Sequence, residues 1–288
     1  MIYFNIYCMV LFRKEGHQMR LIESSDTRDC IPSDVLVLIR HGIDVPILSQ
    51  DLNQPLIEET KPDIRTLSKQ LIRLCGRIGT ARIVLRHSNR LRAIQTASVI
   101  AEELFAIDMP TVIVETSGVR EIYPGEFIIK DHVTGTEYKP LVDAWSAWQK
   151  KLDACELLYR FGDPLADNSG KTEFPELVGW FKGFGEHQGD FSLRLYRMLK
   201  EVFEVSGDDL QVIVGHQASC SRIQRIVSAA LRLTSPDDFK PGEFVKFLEK
   251  KGSRVTIDPA CGIALRKPNQ NLIVSVLEKE IKYLESIV

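Results

Sequence analysis

The sequence predicts an α/β fold, a three-layer α/β/α sandwich with a mainly parallel sheet and an inserted helical cap. The run Val35–Ile39 is apolar at all five positions without alternation, which is typical of a strand buried on both faces of a parallel sheet. Similar runs alternate with amphipathic helical patterns, which favours parallel strands joined by helical crossovers. The alternation stops between about residues 123 and 190, where we expect the cap.

The helices and strands are predicted from these periodicities. The first helix covers residues 64–78, because Ile64, Leu67 and Leu71 recur on one helical face, and Gly79 indicates its end. The other predicted elements are a strand at 81–85, a helix at 91–105, a strand at 111–115, a helix at 191–205, a strand at 210–215, a helix at 219–233, and late strands at 262–266 and 272–277 before a charged tail.

The insertion at 123–190 is expected to belong to one domain that covers residues 35–288. It contains no strand-like run, and it has helical patches at 141–159 and 176–184. No linker rich in proline or serine brackets the insertion, which favours a cap over a separate domain.

Residues 1–34 are expected to form an N-terminal extension. Its first dozen residues are apolar but too few to span a bilayer. An extra strand, a partner-facing segment, and residues upstream of a true start at Met9 or Met19 all stay open. Residues 13–34 are polar and are expected to be irregular.

The composition is that of an ordinary globular protein. Lys and Arg number 37 against 39 Asp and Glu, a net charge of -2, so we expect neither nucleic acid nor a membrane as partner. The six cysteines are widely spaced without a Cys-x-x-Cys pair, which favours reduced thiols in a cytoplasmic protein. A homodimer stays open.

Chemically reactive residues follow four of the predicted strands. They are, in chain order, Arg40 with His41, the group Ser88 to Arg92, Glu121, and His216. Because the carboxyl ends of parallel strands meet at one edge of a sheet, we expect these residues to share a pocket. Histidines, arginines and a carboxylate without metal-ligand spacing suit phosphoryl transfer: cations hold the phosphoryl oxygens, an imidazole attacks, and an acid protonates the leaving oxygen.

The segments around these residues also carry a family resemblance. They are Leu38-Ile39-Arg40-His41-Gly42, Ser88 to Ala97, Arg120 to Gly125, and Val214 to Ala218. In order and spacing they resemble the motifs of the histidine phosphatase superfamily, which includes cofactor-dependent phosphoglycerate mutases and fructose-2,6-bisphosphatase. A looser match covers Gly185-Glu186, Asp190 and Arg194. The resemblance runs from about residue 35 to residue 277.

The resemblance implies a role for each residue of the pocket. His41 would be the nucleophile that becomes phosphohistidine, and Glu121 would protonate the leaving group and later activate water. Arg40, Arg92 and His216 would bind the phosphoryl oxygens, with protonated His216 as a charged donor. No metal and no cofactor are implied. His41 must be neutral at its attacking nitrogen, so its other nitrogen should donate to a backbone carbonyl, and the rate should follow a bell-shaped pH profile.

Further residues are expected to bind the substrate beside this core. They are Gly42, Asp44, Ser88, Arg90 and Gln217. Asp44 stands where the family often has Glu or Asp, and Gln217 replaces a usual glycine. Two nearby carboxylates, Glu115 and Glu126, stay open as alternatives to Glu121 for the acid.

The predicted activity is the hydrolysis of a phosphomonoester of a small metabolite, through phospho-His41 and without a metal. Two alternatives stay open. A mutase would keep the phosphoryl group from water and return it to a second hydroxyl. A non-catalytic binding or scaffold protein would keep the pocket for a phosphorylated ligand, but it would have no use for a nucleophile together with an acid.

Overall fold

The structure is a computed structural model, and it describes part of the chain. The described residues are 9–15, 18–22, 32–43, 54–121, 126–131, 137–138, 177–182, 188–205, 207–242 and 257–287. The chain divides into two compact units: residues 1–45, 53–121 and 193–287 form the first, and residues 46–52, 122–192 and 288 form the second. The main sheet and the candidate site both belong to the first unit.

Ten strands lie within the described residues. They are β1 (Met9–Glu15), β2 (Gln18–Ile22), β3 (Val35–Arg40), β4 (Arg82–His87), β5 (Thr111–Glu115), β6 (Glu126–Asp131), β7 (Glu137–Tyr138), β8 (Leu177–Lys182), β9 (Asp209–Gly215) and β10 (Gly262–Arg266). Seven of them form the main sheet, in the order β2-β1-β10-β3-β9-β4-β5. The neighbours β3, β9, β4 and β5 are parallel, and β10, β1 and β2 continue the sheet through antiparallel pairs.

The centre of the main sheet is covered on both faces. Leu36, Val37, Leu38 and Ile39 of β3 are fully buried, although successive side chains of a strand point to opposite faces. The same holds for β9, where six consecutive residues are buried. A strand buried in this way needs a layer of structure on each side, so the predicted three-layer α/β fold is confirmed, and the neighbouring strands β3, β9, β4 and β5 are parallel as predicted.

Five α-helices lie within the described residues. They are α1 (Lys61–Ile78), α2 (Leu91–Phe105), α3 (Gln188–Glu204), α4 (Gln217–Ala230) and α5 (Gln270–Ile287). In α1 the predicted apolar face is buried, with Ile64 and Leu67 fully inaccessible, and Gly79 ends the helix at a φ of 68°. α1 packs on α2, and α4 packs on α5. The helices predicted at 64–78, 91–105, 191–205 and 219–233 are confirmed, with ends that differ by a few residues.

The strand predicted at residues 272–277 is wrong, because this segment lies inside α5. Its branched apolar residues resemble a strand locally, but the burial follows a helical period: Ile273, Val276 and Leu277 are buried, and so is Leu284, two turns after Leu277. Helix α5 therefore also includes the residues after 277, which were predicted to form a charged tail.

The described part of the second unit is a three-stranded antiparallel sheet, in the order β7-β6-β8. The expectation that the insertion lacks strands is therefore wrong, and so is the helical patch at 176–184, where β8 forms and pairs with β6. A segment as short as six residues offers too few turns for a helical period to be distinguished from an apolar strand. The helical patch at 141–159 lies outside the described residues.

The N-terminal segment contributes two strands, so the expectation that residues 13–34 are irregular is wrong in part. β1 pairs with β10 of the main sheet, and β2 pairs with β1.

Among the described residues, no helix has both the length and the apolar character needed to cross a membrane.

Candidate active site

The carboxyl ends of three neighbouring strands meet in the first unit. β3, β9 and β4 are adjacent and parallel, so they end at the same edge of the sheet. The residues that directly follow β3 and β4 stay hydrogen-bonded to the neighbouring strand β9. His41 N donates to Gly215 O and Ser88 N donates to Val214 O, each at 3.1 Å. This topology brings residues 40, 41, 88 and 216 to one edge.

His41 is buried, and both of its ring nitrogens are engaged. Nδ1 lies 2.6 Å from Gly42 O, which can only accept, so Nδ1 carries the proton and donates it. Nε2 then has the lone pair and accepts from Nε of Arg92 at 3.1 Å. The backbone contact that a nucleophilic His41 requires is therefore present, and Nε2 is the nitrogen able to attack.

Two threonines hold the turn that follows His41. Gly42 N donates to Thr96 Oγ1 at 3.1 Å, and Ile43 N donates to Thr60 Oγ1 at 3.2 Å. A Cβ on Gly42 would stand 2.7 Å from Oγ1 and 2.9 Å from Cγ2 of Thr60. Glycine at this position therefore lets the turn pack closely and keeps its carbonyl on Nδ1 of His41.

We expect Gly42→Ala to lower the free energy of unfolding by about 1–3 kcal/mol, because the added methyl group must displace Thr60. Thermal unfolding measures this loss. Thr60→Ala removes the two nearest atoms and leaves Cδ1 of Ile64 at 3.0 Å, so the double variant Gly42→Ala/Thr60→Ala should lose less stability than the sum of the two single losses. Strictly additive losses would contradict the packing described here.

Arg92, in the first turn of α2, contacts three groups of the site. Its Nε donates to His41, while its Nη2 pairs with Oε2 of Glu121 and lies 3.4 Å from Nδ1 of His216. The His41 and His216 rings stand 4.9 Å apart between centroids. A cation is unfavourable at a helix N-terminus, which favours a ligand-facing role for this buried arginine.

His216 lies at the N-terminal cap of α4 and is fully buried. Its N donates to Ser219 Oγ at 3.1 Å, which closes the first turn of the helix. Its Nε2 lies 3.0 Å from Oγ of Ser88, which also accepts from Arg90 N at 3.2 Å. Ser88 therefore fixes one side of the His216 ring, and Arg92 faces the other.

Burial and neighbouring charges keep both histidines neutral in the free protein. Burial lowers the pKa of His41 well below its ordinary value, and His216 and Arg92 lower it further, against an opposing effect of Glu121. Burial also lowers the pKa of His216, followed in order of size by the charges of Arg92, Arg90, Arg194 and Arg40. A bound anion would counter the arginine charges and favour protonation of His216, while burial would still oppose it.

The lowered pKa of His41 predicts the pH range in which the nucleophile is available. A histidine whose pKa lies well below the ordinary value of about 6.5 stays largely deprotonated at pH 6.5 and above. We expect the ring C–H resonances of His41 to stay unchanged between pH 8 and about pH 6.5 in an NMR titration, and kcat/KM to lose no activity there through His41. A midpoint at or above about 6.5 would contradict the prediction.

Arg40 ends β3 beside the nucleophile. Its Nη1 donates to Ile257 O at 3.0 Å and lies 3.5 Å from Oε1 of Gln217. Its Nε is buried and has no hydrogen-bond partner among the residues that the structure describes. A buried N–H without an acceptor is unfavourable, so an oxygen of a bound ligand would stabilise it.

Arg194, on α3, holds the backbone that precedes the carboxylate. Nη1 donates to Ser117 O at 2.8 Å and to Gly118 O at 2.9 Å, while Nη2 donates to Arg120 O at 2.8 Å and to Glu121 O at 3.5 Å. A planar guanidinium can serve several acceptors at once, which an ammonium group cannot do in the same geometry. Arg194 therefore fixes the position of Glu121.

We expect Arg194→Lys to lower kcat by about 10- to 100-fold, because a lysine cannot bind all of these carbonyl oxygens and Glu121 shifts from its place. Arg197→Lys is the matched control: it lies one turn further along α3, and its guanidinium pairs only at the surface, with Glu285 at 2.6 Å. Steady-state kinetics should separate the two variants, and equal kcat values would contradict the role given to Arg194.

Most of the site residues predicted from the sequence lie at this edge. They are Arg40, His41, Gly42, Ser88, Arg90, Arg92, Glu121, His216 and Gln217, while Asp44 lies outside the described residues. Of the carboxylates that stayed open as the acid, Glu121 contacts Arg92, Glu115 is exposed in β5, and Glu126 belongs to the second unit.

The sequence did not assign the positioning contacts of Thr60, Thr96 and Arg194. One sequence feature indicated Thr96, since it follows Arg92 by four residues and so shares its helical face.

Within the described part of the chain, no three His, Cys, Asp or Glu side chains are grouped in a way that could hold a metal ion.

Comparisons with known proteins give likenesses among solved structures only. No family model matches the sequence, and the comparison with curated proteins found no match. The chain resembles a mycobacterial glucosyl-3-phosphoglycerate phosphatase at 16% identity and a TM-score of 0.46, over 80% of this chain and 90% of that one. It also resembles a phosphoglycerate mutase from Bacillus anthracis at 14% identity and a TM-score of 0.44, over 86% of this chain and 98% of that one. The chemistry of the site is therefore inferred from its own atoms.

Proposed function

We propose that this protein is a metal-independent histidine phosphatase that hydrolyses a phosphomonoester of a small metabolite through phospho-His41. The state of His41 carries the proposal: it is a buried, neutral imidazole whose Nδ1 is held by Gly42 O at 2.6 Å and whose Nε2 faces the guanidinium of Arg92 at 3.1 Å. A neutral imidazole is a nucleophile, and a guanidinium is a suitable ligand for phosphoryl oxygens. A histidine that only fills the core would not need an arginine at its lone pair.

In the first step, Nε2 of His41 attacks the phosphorus atom while the bond between phosphorus and the leaving oxygen breaks. The transferred group carries its charge on three equatorial oxygens. Arg92 exchanges its contact with Nε2 for a phosphoryl oxygen, and Arg40 donates its buried Nε–H. The bound anion counters the arginine charges around His216, which favours a protonated His216 as a further donor against the effect of burial.

Glu121 supplies the proton that the leaving oxygen needs. In the free protein its carboxylate pairs with Arg92. The substrate binds as its monoanion, and once Arg92 turns to the phosphoryl oxygens the Glu121 carboxylate takes up the proton that the phosphoryl group carries. The acid then protonates the leaving oxygen as it departs, and an alcohol is released.

In the second step, water hydrolyses the phosphohistidine. Glu121, now a carboxylate, takes a proton from the water as the water oxygen attacks phosphorus, and the bond to Nε2 breaks. Inorganic phosphate forms and His41 returns to its neutral state, with Nδ1 still on Gly42 O. Each step therefore uses the same groups in opposite directions.

The experiment is a turnover assay with para-nitrophenyl phosphate and a panel of sugar, nucleotide and amino-acid phosphates, with a metal chelator present. We expect phosphate release that the chelator does not inhibit, and the best substrate of the panel indicates the leaving group. No release from folded wild-type protein would contradict the hydrolase. Transfer of a phosphoryl group between substrates would then indicate a mutase, and tight phosphate binding without transfer would indicate a binding protein.

A further inference from the structure

Gln217 departs from the family pattern, and its side chain makes specific contacts at the site. Its Oε1 accepts from Ile257 N at 3.1 Å and lies 3.5 Å from Nη1 of Arg40. Its Nε2 donates to Oγ of Ser221, one turn further along α4, at 2.8 Å. Because the Ile257 amide can only donate, the amide oxygen of Gln217 must face Ile257 and Arg40.

These contacts decide which edge of the Arg40 guanidinium is available to a ligand. Nη1 has two N–H groups, and its acceptors are Ile257 O at 3.0 Å and Oε1 of Gln217. Nε is buried and has no partner within the described residues. A phosphoryl group accepts two parallel N–H bonds from one edge of a guanidinium. With Nη1 occupied, that edge is the one formed by Nε and Nη2.

We propose that Gln217 is a positioning residue that holds Nη1 of Arg40, so that the Nε and Nη2 edge faces the phosphoryl group. This inference rests on the proposed function, because it assigns Arg40 to the phosphoryl oxygens. In this role Gln217 acts on the substrate through Arg40. A free arginine side chain would lose rotamer freedom on binding, so an arginine held in place binds the anion at a lower entropic cost.

A smaller residue at position 217 would leave two groups without this acceptor. Nη1 of Arg40 would keep only Ile257 O, and the amide of Ile257 would lose its contact with Oε1. The guanidinium could then rotate and offer other edges. The expected defect is therefore weaker binding of the phosphoryl group, with the fold kept.

The test is a double-mutant cycle of Gln217→Ala and Arg40→Ala. The Kd for inorganic phosphate is measured by calorimetry, and KM and kcat are measured with the best substrate of the panel. We expect Gln217→Ala to raise the Kd and KM about tenfold and Arg40→Ala to raise them about 100-fold. The double variant should bind phosphate no more weakly than Arg40→Ala alone. If Arg40→Ala does not fold, Arg40→Lys replaces it, since lysine lacks the forked edge.

Gln224→Ala is the matched control. Gln224 lies on α4 and donates to Ser228 Oγ at 3.3 Å, the same four-residue spacing as Gln217 and Ser221, without a contact to Arg40. It should leave the Kd, KM and kcat unchanged. Thermal unfolding of each variant separates loss of fold from loss of binding.

The outcomes separate this inference from the proposed function. Additive effects of Gln217→Ala and Arg40→Ala, or an unchanged Kd in Gln217→Ala, would overturn the positioning role while turnover by the wild type still supports the phosphatase. Non-additive effects of the two substitutions on the Kd, with no turnover by the wild type, would support the positioning role and overturn the phosphatase. Absence of both phosphate binding and turnover in folded wild-type protein would overturn both.

Discussion

His41→Ala should abolish phosphatase activity, with kcat lowered by about 10⁴-fold or more. The physical reason is the loss of the attacking atom: Nε2 of His41 faces Arg92 at 3.1 Å, and the His216 ring is engaged by Ser88 at 3.0 Å. Without the nucleophile, no covalent intermediate forms and water must attack the substrate directly. The measurement is chelator-resistant release of phosphate from the best substrate of the panel.

His87→Asn is the matched control for this loss. His87 is also buried at the end of a parallel strand, and its Nδ1 lies 2.9 Å from the carbonyl of the next residue, Ser88. It has no arginine at its other nitrogen among the described contacts. The control should keep at least a tenth of the wild-type kcat. Retention of wild-type kcat by folded His41→Ala, or equal losses in both variants, would contradict the assignment of His41.

Arg92→Ala should cause the second largest loss, about 10³-fold in kcat/KM. The guanidinium contacts the nucleophile, pairs with Glu121 and lies 3.4 Å from His216, so its removal affects each of them. Arg92→Lys should recover little of this loss, because one ammonium group cannot reach all these positions. Kinetics that separate kcat from KM should show both parameters affected.

A second readout follows from the electrostatics of Arg92. Its charge is one of the causes that lower the pKa of His41 and the largest single charge that lowers the pKa of His216. In Arg92→Ala, NMR titration should therefore find the pKa of each histidine raised toward its ordinary value, while burial still keeps it below. Unchanged histidine titrations together with unchanged kcat/KM would contradict the position of Arg92 in the site.

The sequence predicted the core of the site because that core depends on topology. A five-residue apolar run such as Val35–Ile39 is typical of a short strand buried on both faces, and parallel strands end at a common edge. Residues such as Arg40, His41 and His216 were therefore expected at one edge because they directly follow parallel strands. The same reasoning gave the three-layer fold.

Other features depend on contacts that no local pattern encodes. Arg194 donates to backbone carbonyls 73 to 77 residues away in sequence. Every residue has a backbone carbonyl, so residue types do not indicate which carbonyls Arg194 binds. The segments that became β8 and α5 were misread because short apolar runs fit both periods. In α5 the long-range packing, with Ile273 and Leu284 buried together on one face, decides between them.

The most direct test of the phosphohistidine mechanism is to identify the phosphorylated residue. The enzyme is mixed with ³²P-labelled substrate, quenched within milliseconds in alkali, and mapped by peptide and by ³¹P NMR. We predict an alkali-stable, acid-labile phosphohistidine at His41 with phosphorus on Nε2, because Nδ1 donates to Gly42 O. Label on Ser88, on His216 or on Nδ1 of His41, or turnover without any labelled protein, would contradict it.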